Sequence, residues 1–127
     1  MHRLPFLTLL FATALATTLT ACRTPQRYIQ ATVSNRSGHP LHTLEFDYPS
    51  ASFGTQTLED GADFHYRFLV QGPATPAKFS FLDPASPTPH AVTSTFTLTP
   101  GDEGSLTLTI SAADEVTWTN AITHPAR

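Results

Sequence analysis

Apolar and polar residues alternate with a period of two along most of the chain after residue 27. In the first such segment, residues 28–35, Ile29, Ala31 and Val33 fall on one face and polar residues fall on the other. The same alternation recurs in six further segments, at residues 41–48, 62–70, 77–81, 92–99, 105–110 and 115–119. Alternation of this kind predicts β-strands with one buried and one solvated face.

Residues that favour turns separate these segments, and Pro and Gly recur too often for long helices. The predicted turns lie at residues 35–40, 59–61, 72–73, 83–90, 100–104 and 112–115. Seven short strands in about 100 residues are typical of an all-β, antiparallel two-sheet sandwich of the immunoglobulin-like type. A small closed barrel also fits this pattern. We expect the domain to cover residues 28–119 and residues 120–127 to form a flexible tail.

Residues 48–54 (YPSASFG) interrupt the alternation before Leu58. We expect this segment to cross from one sheet to the other and to place Phe53 in the core. We expect Gly54 to adopt a backbone conformation that is costly for other residues.

The first 21 residues are typical of an export signal. Arg3 supplies a positive charge, and the uncharged apolar stretch at residues 4–19 follows it. This stretch is diluted by threonine and is short for a membrane-spanning helix, which favours a signal peptide over an uncleaved anchor.

The segment Leu19-Thr20-Ala21-Cys22 resembles the lipobox of bacterial lipoproteins, which ends in small residues and cysteine. The resemblance implies cleavage by signal peptidase II between Ala21 and Cys22 and acylation of the Cys22 thiol, with palmitate as a chain that labelling can follow. A lone cysteine has no disulfide partner in its own chain, so acylation also accounts for an otherwise free thiol in an oxidising compartment. An intermolecular disulfide and a metal ligand are the alternatives. Residues 22–27 then form the lipidated cysteine and a short linker.

The lipobox resemblance implies a bacterial cell-envelope protein that is bound to the lipid bilayer through Cys22. Arg23 follows the cysteine, whereas an aspartate there favours inner-membrane retention in enterobacterial lipoproteins. We therefore expect an outer-membrane protein that faces the periplasm or the cell surface. The segments SNRSGHPL (34–41), SFG (52–54) and LEDG (58–61) loosely resemble small envelope lipoproteins, a likeness that brings no activity with it.

Composition and motifs argue against several classes of function. The formal net charge is −3 and charged residues make up 13% of the chain, so the basic surface that binds nucleic acid is missing. The sequence has neither a G-x-S-x-G elbow nor a glycine-rich phosphate loop. We expect no enzyme and no cofactor, but a non-catalytic interaction or structural module with a possible protein partner in the envelope.

The alternative function is metal binding in the periplasm. His65, Glu45 and Asp47 lie on the wet faces of predicted strands and could form a cluster if those strands are neighbours. His39 and His42 flank Pro40, which bends the chain, and no third ligand follows at a suitable spacing. Solvated surface residues are the simpler interpretation of both sets.

The proline-rich loop at residues 82–90 is the candidate partner contact. Pro84, Pro87 and Pro89 stiffen it, and Asp83 adds a charge at its start. A stiff loop loses little entropy on binding, and loops on a rigid sandwich often carry recognition. A rigid spacer between two strands is the alternative interpretation.

Overall fold

The structure is a computed structural model, and it describes residues 26–86 and 88–125. These residues form eight β-strands: β1 (Ile29–Asn35), β2 (Leu41–Tyr48), β3 (Ala51–Leu58), β4 (Asp63–Phe68), β5 (Thr75–Leu82), β6 (His90–Leu98), β7 (Glu103–Ile110) and β8 (Val116–Thr123). Within these ranges, no helix has the length and hydropathy that a bilayer span requires.

The strands form two four-stranded sheets, in the orders β4-β1-β7-β8 and β3-β2-β5-β6. Five pairings are antiparallel, and β1 pairs with β7 in parallel. The prediction of an all-β two-sheet sandwich is confirmed, and the arrangement is consistent with the immunoglobulin-like type. Pairing in both sheets is mainly antiparallel, as expected, and the parallel pair of β1 and β7 is a detail that the alternation did not predict. β1 pairs with β7 because β2, the next strand along the chain, lies in the other sheet. The neighbours of β1 are therefore β4 and β7.

The core lies between the two sheets and consists of the inward residues of the alternating segments. Its fully buried large side chains include Phe46, Phe79 and Phe81 from one sheet and Leu106 and Leu108 from the other. Burying apolar surface from both sheets is the main favourable contribution to the stability of such a domain.

The alternation predicts that seven large side chains lie in the core: Phe46, Phe64, Phe68, Phe79, Phe96, Leu108 and Trp118. Four of them are buried, and three are only half-buried. The buried ones are Phe46, Phe68, Phe79 and Leu108. The half-buried ones lie on β4, β6 and β8, which are edge strands: Phe64, Phe96 and Trp118. An edge strand has a neighbour on one side only, so its inward side chains keep some contact with solvent.

The alternation also predicts that Glu45, Arg67, Thr95 and Thr107 face the solvent, and their exposure follows the same rule. Glu45, Arg67 and Thr95 are exposed as predicted, whereas Thr107 is half-buried. Thr107 lies on β7, a central strand, where neighbouring side chains on both sides cover part of it.

Aromatic pairs close the two open sides of the sandwich. On one side the Phe53 ring of β3 stacks on the Tyr66 ring of β4, with 4.2 Å between centroids and 19° between planes. On the other side the Phe96 ring of β6 meets the edge of Trp118 of β8 at 5.6 Å. Such pairs add to the contribution of buried area.

The segment at residues 48–54 does not cross between sheets, and that prediction is wrong. Pro49 and Ser50 form a tight turn in which Ser50 has a φ of 74°, and β3 then returns beside β2 in the same sheet. Proline at the first turn position and a positive φ at the second suit a two-residue reversal. The expectation that Phe53 is buried is confirmed.

Gly54 is required for a different reason from the predicted one. Its backbone is not in the left-handed region. Instead, a Cβ at this position would overlap the carbonyl oxygen of Leu44 on the neighbouring strand. The close approach of β2 and β3 therefore excludes any side chain at Gly54.

β8 continues beyond Thr119, where we expected the domain to end. It pairs with β7 from Val116 opposite Ile110 to Thr123 opposite Glu103. Ile122 packs against the core, which explains why residues 120–123 are a strand and not a flexible tail.

The topology gives the sandwich two distinct ends. The loops at residues 36–40, 59–62, 83–89 and 111–115 lie at one end, here called the upper end. The start of β1 and the turns at residues 49–50, 69–74 and 99–102 lie at the opposite, lower end.

Replacing Phe68 tests the core. Its ring lies 4.2 Å from the Tyr48 ring and 5.7 Å from those of Phe46 and Phe53. We expect Phe68→Ala to lower the free energy of unfolding by about 3–5 kcal/mol, a large share of the stability of a small domain. Urea denaturation measures this, with the exposed Thr95→Ala as control. Equal stability of the two variants would contradict the assignment of faces.

Candidate functional site

The structure does not bring together His65, Glu45 and Asp47, the alternative metal-binding set, because the strands that carry them are not neighbours. His65 lies on β4, whereas Glu45 and Asp47 lie on β2 in the other sheet. The polar faces of the two sheets point in opposite directions, so these side chains cannot converge. His65 Nδ1 instead lies 3.0 Å from the Thr32 hydroxyl. On the other sheet, Glu45 interacts with Asp47: the hydrogen bond between the two carboxyl groups, and then the negative charge of Asp47, raise the pKa of Glu45.

Not every residue of the candidate partner contact lies on the surface. Asp83 is only 4% exposed, so it is a buried residue and not a surface contact. Pro84 and Pro89 are exposed. Pro87 lies outside the described residues, as do the predicted cleavage and lipidation sites at Ala21 and Cys22.

Four titratable side chains converge at the upper end, and they form what we call the His/Asp cluster. His39 lies in the loop between β1 and β2, Asp83 follows β5, His90 begins β6, and Asp114 lies in the turn before β8. His39 Nε2 is 2.6 Å from Asp83 Oδ2, and His90 Nε2 is 3.3 Å from Asp114 Oδ2. One atom each from His39, Asp83 and Asp114 lie within 4.8 Å of one another.

Asn35 positions the backbone that carries His39. The Asn35 side chain is fully buried and donates from Nδ2 to the carbonyl oxygens of His39 and Leu58, each at 2.9 Å. Its Oδ1 accepts hydrogen bonds from the backbone N–H and the hydroxyl of Ser37. The Ser37 hydroxyl is also within 2.9 Å of the His39 carbonyl oxygen. The side chains of Asn35 and Ser37 therefore hold the loop that carries the His39 imidazole.

Asp83 is the buried carboxylate of the cluster. Burial raises the pKa of this group, but hydrogen bonds from the Ala85 N–H, the Asp114 carboxyl and His39 outweigh that effect and bring the pKa to about 2. The Ala85 N–H donates to Oδ1 at 2.8 Å, which leaves Oδ2 directed at His39. Asp83 is therefore the negatively charged member at neutral pH.

Asp114 and His90 complete the cluster. Burial, and then the hydrogen bond with Asp83 and its negative charge, raise the pKa of Asp114 above 3.8, so this carboxyl takes up a proton before Asp83. The His90 ring stacks on the buried Phe81 ring at 5.0 Å and 16°, which fixes the plane of the imidazole. Asp114 Oδ1 and His90 Nε2 are buried and have no hydrogen-bond partner among the described residues.

Sequence reasoning missed this cluster because its members are far apart along the chain. Residue 39 and residue 83 lie on different loops, and the alternation of strand residues carries no information about which loops meet. In a sandwich of hairpins and crossovers, every second loop lies at the same end, and with the eight strands of the structure this rule places all four residues at one end of the domain. The seven predicted segments omit β3, so the same rule applied to them would have placed His39 at the opposite end from the other three residues.

A second His–Asp pair lies at the lower end. His124 Nδ1 is 2.6 Å from Asp102 Oδ1, and Asp102 is fully buried. Asp102 Oδ2 accepts a hydrogen bond from the Thr99 N–H at 2.8 Å. Both carboxylate oxygens are thus used to fix the turn before β7 and the end of β8.

Comparisons of the chain with protein-family models, with curated proteins and with solved structures find no match.

Replacing Asn35 tests the support of the cluster. Asn35→Ala leaves the Ser37 N–H and the Leu58 carbonyl without their side-chain partner, and each buried group that loses its partner costs about 1–3 kcal/mol. We therefore expect a clear fall in the free energy of unfolding, measured by urea denaturation. Asn120→Ala, an exposed asparagine on β8, is the matched control and should change it little. Equal stability of the two variants would show that the Asn35 amide is dispensable.

Proposed function

We propose that this chain is a lipid-anchored protein of the bacterial cell envelope, most consistent with the outer membrane, and that its sandwich is a non-catalytic binding module. The lipobox-like segment ending at Cys22 supports the anchor, and acyl chains contribute about 0.8 kcal/mol per buried methylene to membrane binding. The observation that carries the proposal is the direction in which β1 runs as the chain leaves that cysteine.

β1 begins at Ile29, at the lower end of the sandwich, and runs toward the upper end. Residues 23–27 reach at most about 18 Å when extended, so an anchored Cys22 keeps the lower end near the bilayer. The seven residues of β1 span about 23 Å. The upper end, with its four loops, is then directed away from the membrane.

Residues 83–86, at the start of the proline-rich loop, have the properties of a preorganised contact surface at that end. Pro84 and Pro89 are exposed, while Asp83 below them is locked in place. The Ser86 N–H donates to the Asp83 carbonyl at 2.9 Å and closes the first turn of the loop. A loop that is ordered before binding loses less entropy when a partner docks.

The surroundings of the two imidazoles favour binding over acyl transfer. Among the described residues, no hydroxyl or thiol side chain is hydrogen-bonded to the ring of His39 or His90. A nucleophile that is activated by histidine requires such a contact. The imidazoles face carboxylates instead.

Cys22→Ser tests the anchor. The serine hydroxyl is not a substrate for thioether formation, so we expect the variant to remain unprocessed and to lose the lipid. Metabolic labelling with palmitate, read on gels beside the wild type, measures this directly. Ser111→Ala, distant from the processing site, is the control. Label retained on Cys22→Ser would disprove lipidation at this residue.

Photocrosslinking in intact cells tests which end of the sandwich contacts a partner. We expect a photoreactive residue at Thr88, on the upper end, to capture an envelope protein, and one at Ala74, on the lower end, not to capture it. Replacing Pro84, Pro87 and Pro89 with alanine should reduce capture from Thr88 and leave the thermal melting curve nearly unchanged.

The same crosslinks contradict the proposal if they show the opposite pattern. Capture from Ala74 alone would place the contact at the membrane-facing end. Full capture by the proline variant would remove the loop from the binding surface.

A further inference from the structure

We propose that the His/Asp cluster is a binding site for a divalent transition-metal ion of the zinc class, with His39, Asp83 and Asp114 as ligands and His90 as the fourth ligand. This site does not depend on the lipid anchor, but it shares Asp83 with the base of the proposed partner loop. It differs from the alternative set of His65, Glu45 and Asp47. Its ligands come from three loops and from the first residue of β6.

The three ligands His39, Asp83 and Asp114 already have one atom each within 4.8 Å of one another, and His90 adjoins this group through Asp114. With metal–ligand bonds of about 2.0–2.1 Å, the atoms of a tetrahedral site are about 3.3 Å apart. His90 Nε2 and Asp114 Oδ2 are already 3.3 Å apart. His39 Nε2 and Asp83 Oδ2, now 2.6 Å apart, would separate by less than about 1 Å as the ion replaces the proton between them.

The two partnerless atoms are the second observation. Asp114 Oδ1 and His90 Nε2 are buried, and in the described part of the chain neither has a hydrogen-bond partner. Polar atoms buried without a partner are rare in folded proteins because desolvation is costly. Both atoms belong to the same cluster. A metal ion would bind His90 Nε2 directly, and it would also give the Asp114 carboxylate a positively charged partner.

The donor set and the charge select the class of ion. When the ion displaces the Asp114 proton to solvent, the two carboxylates carry two negative charges, which a divalent cation balances. Imidazole nitrogens suit zinc, copper, nickel and iron, whereas magnesium and calcium prefer sites made of oxygen ligands. A site with two imidazoles and two carboxylates therefore favours transition metals over calcium.

Groups around the cluster hold the ligands in place, as is usual for metal sites. The Ala85 N–H occupies Asp83 Oδ1, so Oδ2 is presented to the ion. Asn35 and Ser37 fix the His39 carbonyl, and Phe81 supports the His90 ring. An ion bound here would link the β1–β2, β5–β6 and β7–β8 loops and so rigidify the upper end.

Zinc titration of the full-length chain tests the site. The protein is purified in detergent, stripped with EDTA and titrated with ZnCl₂ by calorimetry, with bound metal measured by mass spectrometry. We expect one zinc ion per chain, weak or undetectable binding of CaCl₂, and a rise in melting temperature with zinc. His39→Gln and Asp114→Asn should each weaken zinc binding at least about tenfold.

His124→Gln is the matched control because His124 makes an equally short contact with a buried aspartate at the other end of the sandwich. Zinc binding by this variant, and by His65→Gln, should equal that of the wild type. If Asp114→Asn fails to fold by circular dichroism, His39→Gln and His90→Gln decide, since both side chains are about one-third exposed. Cobalt(II) loading gives a visible spectrum that reports nitrogen and oxygen coordination.

Three results would overturn the proposal. One is the absence of saturable zinc binding at micromolar concentration. Another is zinc binding that survives unchanged in both His39→Gln and Asp114→Asn. The last is a loss of binding in His124→Gln or His65→Gln of the same size, which would indicate scattered surface histidines.

Discussion

The buried amide of Asn35 is the constraint on which the upper end of the sandwich depends. The chain leaves one sheet after this residue and enters the other at Leu41, and Asn35 and Ser37 are the buried residues of this crossing. Asn35 satisfies the backbone on both sides of the crossing, through the carbonyls of His39 and Leu58 and the N–H of Ser37. The same bonds hold the backbone of His39. The crossover therefore carries the His39 imidazole to the end of the sandwich where it meets Asp83.

Sequence reasoning predicted the fold class and the inward faces well, because side-chain alternation reports the direction in which each residue points. It could not report how many strands lie beside a residue. Phe96 and Trp118 therefore point inward as predicted and stay half-exposed on edge strands. The turn at Pro49 and Ser50 was mistaken for a crossing because two residues are enough to reverse a strand, and the alternation resumes only weakly in β3.

The candidate site was harder to predict, for the same physical reason. Asp83 was recognised as part of a proline-rich loop but was expected to face solvent, and His39 was considered only beside His42. Both residues act through partners on other loops, and those partners depend on how the sheets stack. Residues on one strand share a face by local geometry, whereas residues on different loops meet only through the whole topology.

The two ends of the sandwich show what separates a structural His–Asp pair from a binding site. At the lower end, both oxygens of Asp102 accept hydrogen bonds, from His124 and from the Thr99 N–H, so nothing is left for a ligand. At the upper end, a second carboxylate and a second imidazole are added, and Asp114 Oδ1 and His90 Nε2 have no partner among the described residues. A buried pair that satisfies itself stabilises a turn. A half-buried cluster whose buried atoms lack hydrogen-bond partners keeps a free-energy cost that a bound cation removes, and this difference directs the search for function to the upper end.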